Sequence, residues 1–307
     1  MKLVFMGTPA FAVPSLERTV EAGHEVAAVV TQPDRPKGRG QNDAMSPVKE
    51  AALRLGLAVQ QPERVRRTEV VEKLRALAPE AMVVVGYGQI IPKAILDIPP
   101  LGIINVHASL LPKYRGAAPI QWAIARGETS TGVTTMRIDE GLDTGDMLLK
   151  WETAIGPQEN AVELGRRLAV AGADLLVRTL AELPAIQAQP QDDSQATYAP
   201  ILKKEDGKID WTLSAREILN RIRGFEPWPG GYGFLRGQRF QIWSAAIGDQ
   251  KLPPGALRAV NRKLYAGCGG GESIELREVQ LEGKKRMPAA AFMNGFPLSG
   301  DGDEVLL

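Results

Sequence analysis

The sequence predicts an α/β protein in which a doubly wound, mostly parallel sheet domain is followed by a small C-terminal β-barrel domain. Up to about residue 140, short apolar runs alternate with helical patterns, as in parallel sheets with crossover helices. After about residue 230, the apolar runs are short and separated by Gly and Pro, which is typical of small barrels. The chain has 307 residues, which favours two domains over one.

The predicted strands of the first domain are short apolar or β-branched runs. They lie at residues 2–6, 25–31, 81–85, 102–106 and 131–138. Helical spacing is present at residues 11–22, 46–55, 69–77 and 160–183. In Rossmann-like sheets of this kind, ligands bind outside the carboxyl ends of the strands. The first turn lacks the G-x-G-x-x-G pattern, which argues against a dinucleotide site.

The polar stretch 187–197 predicts an exposed linker. We therefore predict a catalytic domain at 1–188, a linker at 189–206 and a C-terminal domain at 207–307. In the C-terminal domain, Ser214 and Glu217 form a capping-box pattern that opens a short helix. The short runs 240–247, 263–266 and 273–279 are the predicted strands of a barrel like that of the oligonucleotide-binding (OB) fold.

Composition limits the classes of function. No run reaches the roughly 18 apolar residues of a membrane span, and Gly7-Thr8-Pro9 interrupts the apolar start, so we expect a cytoplasmic protein. Cys268 is the only cysteine, so no internal disulfide can form, and we expect this thiol to be inert. With His24 and His107 as the only histidines, we expect no metal site. Residues 200–307 carry a slight excess of basic side chains, which is a weak indication of a polyanionic partner, and an ordinary solvated surface is the favoured interpretation of this excess alone.

Two polar side chains end the strand predicted at 102–106. Asn105 and His107 are two residues apart, so they project from the same face at its carboxyl end. An amide can donate to a developing oxyanion and an imidazole can carry a proton, as acyl transfer to an amine requires. The alternative interpretation is a hydrogen-bonded polar pair with no catalytic role.

A loop with several carboxylates follows the strand predicted at 131–138. It contains Asp139, Asp143 and Asp146, and we expect it at the same end of the sheet as Asn105 and His107. One of its carboxylates could orient the imidazole or act as the base. A solvated acidic turn or a cation site are the alternatives.

Motifs spread over almost the whole chain resemble those of one enzyme family. His-Ala-Ser-Leu-Leu-Pro-Lys-Tyr-Arg-Gly at 107–116 and Asp-x-Gly-x-Asp-Thr-Gly at 139–145 resemble the 10-formyltetrahydrofolate-dependent formyltransferases. Further segments look like the methionyl-tRNA formyltransferase branch of that family. These are Phe-Met-Gly-Thr-Pro at 5–9, Thr-Gln-Pro-Asp-Arg-Pro-x-Gly-Arg-Gly at 31–40, Lys-x-Asp-Gly-x-Ile-Asp-Trp at 204–211 and Arg-Gly-Phe-x-Pro-Trp-Pro-Gly at 223–230.

The resemblance implies formyl transfer from 10-formyltetrahydrofolate to the α-amino group of initiator methionyl-tRNA, which yields N-formylmethionyl-tRNA for translation initiation. It implies a catalytic trio in which Asn105 polarises the formyl oxygen and His107 stabilises the tetrahedral intermediate. Asp143 would orient His107 and help to move protons. The resemblance leaves open whether His107 or Asp143 is the base.

The resemblance also implies binding residues and a monomer. The expected folate site comprises Gly86, Tyr87, Gly88, Gln89, Ile90, Ser109, Leu110, Leu111, Pro112 and Asp139. The expected tRNA contacts are Arg35, Lys37, Arg39, Lys204, Lys208, Arg221 and Arg223. Taken singly, each of these basic residues is more often an ordinary solvated side chain. After Gly40 the chain has Gln41-Asn42-Asp43 in place of the lysine-bearing stretch that is usual in the family, which weakens the basic surface of the loop.

Two other functions remain open at this point. A formyltransferase acting on glycinamide ribonucleotide or an amino sugar nucleotide would use the same three groups, but a small nucleotide does not require the C-terminal domain. A noncatalytic RNA-binding protein would use the barrel, but binding alone gives no reason to retain all three groups.

Overall fold

The computed structural model describes residues 1–37, 42–296, 298 and 304–307. The chain forms two compact units, each made of three segments. The N-terminal unit comprises Met1–Gly116, Thr131–Thr153 and Gly165–Tyr198. The C-terminal unit comprises Ala117–Ser130, Ala154–Leu164 and Ala199–Leu307. The boundaries predicted from sequence, at 188 and 206, stay a prediction.

Nine strands lie in the first part of the described chain. They are β1 (Lys2–Gly7), β2 (Glu25–Val30), β3 (Arg35–Lys37), β4 (Asn42–Ala44), β5 (Val59–Gln60), β6 (Ala81–Val85), β7 (Ile103–His107), β8 (Ser130–Arg137) and β9 (Met147–Ala154). Seven of them form one sheet in the order β5-β2-β1-β6-β7-β8-β9, and β3 pairs with β4 in a separate hairpin. The pairs from β5 to β7 are parallel, whereas β8 runs antiparallel to β7.

The helices of this part are α1 (Val13–Glu21), α2 (Pro47–Arg54), α3 (Thr68–Ala76), α4 (Lys93–Leu96), α5 (Pro119–Ala125) and α6 (Ala161–Glu182). Local chemistry explains where α2 begins. The Ser46 side chain accepts a hydrogen bond from Lys49 N at 3.1 Å, and Pro47 occupies the first helical position, where no backbone donor is needed. In the sheet, β6 is buried along its whole length, as expected for a parallel strand covered on both faces.

The C-terminal unit is built on a second, antiparallel sheet. Its strands are β10 (Gly231–Leu235), β11 (Gln238–Ile247), β12 (Ala256–Val260), β13 (Lys263–Gly267), β14 (Ser273–Leu281), β15 (Met287–Pro288) and β16 (Glu304–Val305). The order is β10-β11-β14-β13-β12-β16, with β15 beside β14. Two helices accompany the sheet, α7 (Ala215–Gly224) and α8 (Ala289–Gly295). The predicted fold class, a mostly parallel α/β sheet followed by a small antiparallel β domain, is confirmed.

Helix α7 carries the predicted capping box. Ser214 Oγ accepts from Glu217 N at 3.3 Å, and Glu217 Oε2 accepts from Ser214 N at 3.0 Å. The buried face of α7, with Ile218 and Ile222, belongs to the same apolar cluster as Phe240 of the sheet. This packing forms the core of the C-terminal unit.

Close packing explains why residues 117–130 belong to the C-terminal unit. A Cβ on Gly224 would lie 2.8 Å from Ala125 N, so α5 and α7 can approach this closely only because glycine is present. The rings of Trp122 and Phe225 meet edge to face with their centroids 5.3 Å apart, and Phe225 is fully buried. The segment 154–164 is held by Arg223, whose Nη1 donates to the carbonyl oxygens of Gly156 at 3.1 Å and Glu159 at 2.9 Å.

Several elements differ from the sequence prediction. The strand 81–85 was predicted correctly, and β7 begins and ends one residue later than expected. Strand β9 was not predicted, because most of its side chains are exposed or half-buried and its apolar pattern is therefore weak. The hairpin β3–β4 lies where only a loop was expected. No helix in the described ranges is long and apolar enough to cross a membrane.

The reactivity of the buried Cys268 thiol tests whether the core of the C-terminal unit is closed to solvent. Cys268 is fully buried, and burial raises the pKa of its thiol to about 12, because desolvation penalises the thiolate. Only the thiolate attacks electrophiles. We expect the folded protein at neutral pH to resist a thiol reagent that labels the guanidinium-unfolded chain completely, as measured by mass spectrometry. Rapid labelling of the native protein would show that this core is open.

Candidate active site

Strand β7 carries two buried polar residues, Asn105 at its centre and His107 at its end, within the N-terminal unit. Asn105 is 9% exposed and His107 is 6% exposed. Both side chains leave the same face of the strand, as the two-residue spacing predicted. Among the residues that the structure describes, the Asn105 side chain has no hydrogen-bond partner, so its amide is available to a ligand.

The hydrogen bonds of His107 constrain its protonation. Its Nε2 lies 2.9 Å from the carbonyl oxygen of Tyr114, which can only accept, so Nε2 must carry a hydrogen. Its Nδ1 lies 3.6 Å from Asp143 Oδ2. In the neutral ring, the unprotonated nitrogen is therefore Nδ1, which faces the carboxyl group of Asp143.

Asp143 reaches His107 by a path that the sequence did not reveal. Because β8 is antiparallel to β7, with His107 opposite Thr134 and Ile104 opposite Arg137, the loop 138–146 starts level with the beginning of β7. We expected the loop at the carboxyl end of the sheet, and that reasoning was wrong. The loop instead folds back and brings Asp143, 19% exposed at its side chain, to His107.

The position of Asp143 is fixed by its backbone and by its carboxylate. Its φ of +52° lies in the left-handed region, which aspartate tolerates better than most residues but which still requires support from its surroundings. The Gly116 N–H donates to Asp143 Oδ2 at 2.8 Å. The Gln191 side chain donates to the carbonyl oxygens of Asp143 and Gly145, both at 2.8 Å.

Gln191 was missed by the sequence analysis. It lies in the polar stretch 187–197, which predicted an exposed linker, yet it is half-buried against the Asp143 loop. The backbone of this stretch also pairs with β9, since Met147 and Gln189 exchange hydrogen bonds of 2.8 Å. A glutamine in a polar segment carries no distinctive signal, so only the folded chain identifies its role.

The segment after His107 is held by β8 and β9. Thr134 Oγ1 donates to the carbonyl oxygen of Ser109 at 2.7 Å and accepts from Leu111 N at 3.2 Å. Lys150 Nζ donates to the carbonyl oxygen of Leu111 at 2.7 Å. Burial lowers the pKa of Lys150, because the charged amine loses solvation. Residues 109–112, which follow His107 in the chain, are thus fixed by side chains of β8 and β9.

Comparison with known proteins assigns the chain to a family. The formyl transferase model matches residues 1–180, and the formyl transferase C-terminal domain model matches residues 201–297. This chain belongs to the formyltransferase family. Among curated proteins, it is 66% identical over 299 residues to methionyl-tRNA formyltransferase of Solibacter usitatus, covering 96% of both chains. It is 60% identical to the protein of the same name from Koribacter versatilis, covering 98% of both.

Solved structures show the same fold. An N-formyltransferase from Helicobacter canadensis, in complex with folinic acid and dTDP-3-aminofucose, superposes with a TM-score of 0.67 at 18% identity, covering 90% of this chain and 98% of that one. Methionyl-tRNA formyltransferase from Clostridium thermocellum superposes with a TM-score of 0.59 at 18% identity, covering 92% and 98%.

In this formyltransferase, the predicted folate segment 86–90 follows β6. Gly86 and Gly88 have φ values of +59° and +85°, which favour glycine. The Tyr87 side chain is 1% exposed, and burial raises its pKa to about 12, so its ring is part of the core. Gln89 Oε1 accepts from Val65 N at 2.8 Å. Ile90 is 90% exposed and leaves apolar surface uncovered.

The predicted folate residue Asp139 organises the loop that carries Asp143. Both of its carboxylate oxygens accept from Thr144 Oγ1 at 2.8 Å, and Oδ1 also accepts from Gly141 N at 3.0 Å. These contacts make Asp139 a determinant of loop shape. Its assignment to the folate site stays a prediction.

The residues predicted to contact tRNA differ in their exposure and in their contacts within the protein. Arg35, Lys204 and Lys208 are exposed, and Arg221 is half-buried. The Arg223 guanidinium binds backbone carbonyls of the segment 154–164 and Asn220 Oδ1, so the prediction that it contacts RNA draws no support from the structure. Arg39 and the side chain of Lys37 lie outside the described residues.

The close packing of the Asp143 loop gives a stability test. A Cβ on Gly145 would overlap the carbonyl oxygen of Arg137, so Gly145→Ala must displace the loop or the strand. We expect a loss of about 1–3 kcal/mol in the free energy of unfolding, measured by urea denaturation. The control is Gly295→Ala, where nothing lies within 4 Å. Equal stabilities of the two variants would contradict the packing described for the loop.

Proposed function

We propose that this formyltransferase transfers the formyl group of 10-formyltetrahydrofolate to the α-amino group of initiator methionyl-tRNA. The observation that carries the proposal is the approach of Asp143 to His107, two residues after Asn105 on β7, in a chain that is 49–66% identical to eight proteins named methionyl-tRNA formyltransferase. The product, N-formylmethionyl-tRNA, serves translation initiation. We propose that the enzyme works in the cytoplasm as a monomer and needs no metal.

The reaction forms one C–N bond and breaks another. The neutral amine attacks the formyl carbon, and the carbonyl oxygen becomes an oxyanion in the tetrahedral intermediate. The intermediate collapses by breaking the bond between the formyl carbon and N10 of the folate. One proton leaves the attacking nitrogen and one reaches N10, so protons balance over the cycle.

Asn105 is suited to stabilise the oxyanion. It lies in the middle of β7, is nearly buried, and its side chain has no hydrogen-bond partner among the described residues that would have to be displaced. A donor fixed before the reaction stabilises developing charge without reorganisation. Asn105 would therefore bind the formyl oxygen more strongly in the transition state than in the substrate.

His107 and Asp143 are suited to move the proton. Because Nε2 is held by the Tyr114 carbonyl, the ring can exchange a proton only through Nδ1, which faces Asp143. The partly exposed carboxylate is the member of the pair nearer to solvent, and therefore to an incoming amine. We propose that Asp143 takes the proton from the amine and that His107, when protonated, stabilises the intermediate electrostatically.

The proposed folate site comprises residues 86–90, residues 109–112 and Asp139, which lie on both sides of Asn105 and His107 in the sequence. The Helicobacter canadensis structure contains folinic acid, and a related sugar N-formyltransferase was solved in the presence of 5-N-formyl-tetrahydrofolate. The apolar side chains of Ile90 and Leu142 are 90% and 61% exposed, and a flat heterocycle would cover such surface. The fixed segment 109–112 and the loop held by Asp139 would complete the site.

The C-terminal unit is the part of the protein that we propose binds tRNA. We propose that residues 207–307 form the tRNA-binding domain after a linker at 189–206, with residues 1–188 as the catalytic domain. Lys204 and Lys208 are exposed, and their positive charges are suited to phosphate contacts. A transferase for a small nucleotide would not need this surface. Sugar N-formyltransferases superpose on this chain at only 18–20% identity, which supports the fold and not their substrates.

A direct assay tests the proposed function. The purified protein is incubated with 10-formyltetrahydrofolate and, in parallel, with initiator methionyl-tRNA, elongator methionyl-tRNA, glycinamide ribonucleotide and an amino sugar nucleotide. We expect formylation of the initiator tRNA and little of the others. Formylation of a small nucleotide alone would replace the proposed substrate, and no formylation at all would exclude an enzyme of this kind.

The catalytic roles predict specific losses. Asn105→Ala and Asp143→Asn should each lower kcat by about a hundredfold or more, because each removes a group used in the transition state. Asparagine is chosen at 143 because it tolerates the left-handed backbone. Glu140→Ala, an exposed change in the same loop, is the control. Single-turnover formylation measures the effect, and near-normal rates in either variant would remove that residue from the mechanism.

The proposed tRNA role of the basic loop predicts a salt effect. Arg39→Ala should raise KM for methionyl-tRNA while leaving KM for the folate unchanged. If Arg39 binds one phosphate, its removal should make the slope of log K against log salt less steep by about 0.7–0.9. Arg75→Ala, an exposed arginine of α3, serves as the control. A slope identical to that of the wild type would contradict the phosphate contact.

A further inference from the structure

Gln191 joins two segments of the active site that are distant in sequence. Its side-chain oxygen accepts from Arg115 Nε at 3.0 Å and from Arg115 Nη2 at 2.8 Å. Its side-chain nitrogen donates to the carbonyl oxygens of Asp143 and Gly145, both at 2.8 Å. An amide has two donor hydrogens and two acceptor lone pairs, so Gln191 uses its full hydrogen-bonding capacity inside the protein.

Arg115, the partner of Gln191, is itself firmly held. It is 2% exposed, and its Nη2 also binds Asp193 Oδ1 at 2.7 Å. Its backbone N–H donates to the carbonyl oxygen of Thr197 at 2.8 Å. The next residue is Gly116, whose N–H binds the Asp143 carboxylate. Gln191 therefore ties the backbone of the Asp143 loop to the segment that binds the Asp143 side chain.

We propose that Gln191 is a positioning residue that holds the Asp143 carboxylate at its working distance from His107, an inference that rests on the proposed formyl transfer. The left-handed backbone of Asp143 persists only where its surroundings hold it, and Gln191 binds the carbonyl of Asp143 itself and that of Gly145. Glutamate lacks the two donors and lysine lacks the acceptors, so glutamine is suited to join a guanidinium to two carbonyls.

Kinetics of two variants test this role. Gln191→Ala removes the whole bridge, whereas Gln191→Glu keeps an acceptor for Arg115 and removes both donors to the loop. We expect both to lower kcat about ten- to a hundredfold, since a displacement of about 1 Å at a reacting group has an effect of this size. KM for folate and for methionyl-tRNA should change little. Gln195→Ala, an exposed glutamine bound only to Asp192, is the control and should retain full activity. A near-normal kcat in both Gln191 variants overturns the proposal.

A double-mutant cycle separates positioning from general destabilisation. If Gln191 acts through Asp143, adding Gln191→Ala to Asp143→Asn should lower kcat no further. A further drop as large as that seen in the wild-type background would mean that Gln191 supports the fold in general, and it would overturn the proposal.

Hydrogen exchange distinguishes failure of this inference from failure of the proposed function. Measured on the full chain without substrates, amide exchange in residues 139–146 should be faster in Gln191→Ala than in the wild type and unchanged in Gln195→Ala. If the wild type formylates no tRNA while exchange in the loop rises, the proposed function fails and the restraint on the loop stands. Unchanged exchange in Gln191→Ala overturns the inference, whether or not the wild type is active.

Discussion

The approach of Asp143 to His107 is the constraint on which the active site depends. His107 ends β7, and Asp143 lies in the loop that follows the antiparallel strand β8. That loop must therefore fold back to bring Asp143 within 3.6 Å of His107. A loop that folds back in this way needs contacts at several points. The Gly116 N–H binds its carboxylate, Gln191 binds its carbonyls, and the absence of a side chain on Gly145 lets it pass beside Arg137.

These contacts make the centre a junction of four chain segments. The end of β7, residues 114–116, the loop 138–146 and the polar stretch around Gln191 meet there. The end of β7 supplies an amide and an imidazole, and residues 114–116 supply backbone donors and acceptors. The loop 138–146 supplies a carboxylate, and the polar stretch supplies the bridging Gln191. Because every segment is held by at least one other, the carboxylate and the imidazole are positioned before any substrate binds, as electrostatic catalysis requires.

The parts of the fold that could be predicted are those with a strong local pattern. Strand β6 and most of β7 were predicted because buried parallel strands are continuous apolar runs. The start of α7 was predicted because its capping box is formed by residues three apart. Strand β9 was not predicted because its exposed side chains weaken the apolar pattern. The direction of β8 was not predicted because the apolar content of a strand does not indicate its direction.

The sequence by itself determined the fold class, the family and the identity of Asn105, His107 and Asp143 as candidate catalytic residues. It could do so because periodicity, caps and contiguous motifs are local properties of the chain. Only the tertiary structure decided how Asp143 reaches His107, that Gln191 joins the loop to Arg115, and that residues 117–130 and 154–164 pack with the C-terminal unit. These features depend on which distant segments share a hydrogen bond or a close contact, and such partners leave no periodic signal in the residues around them.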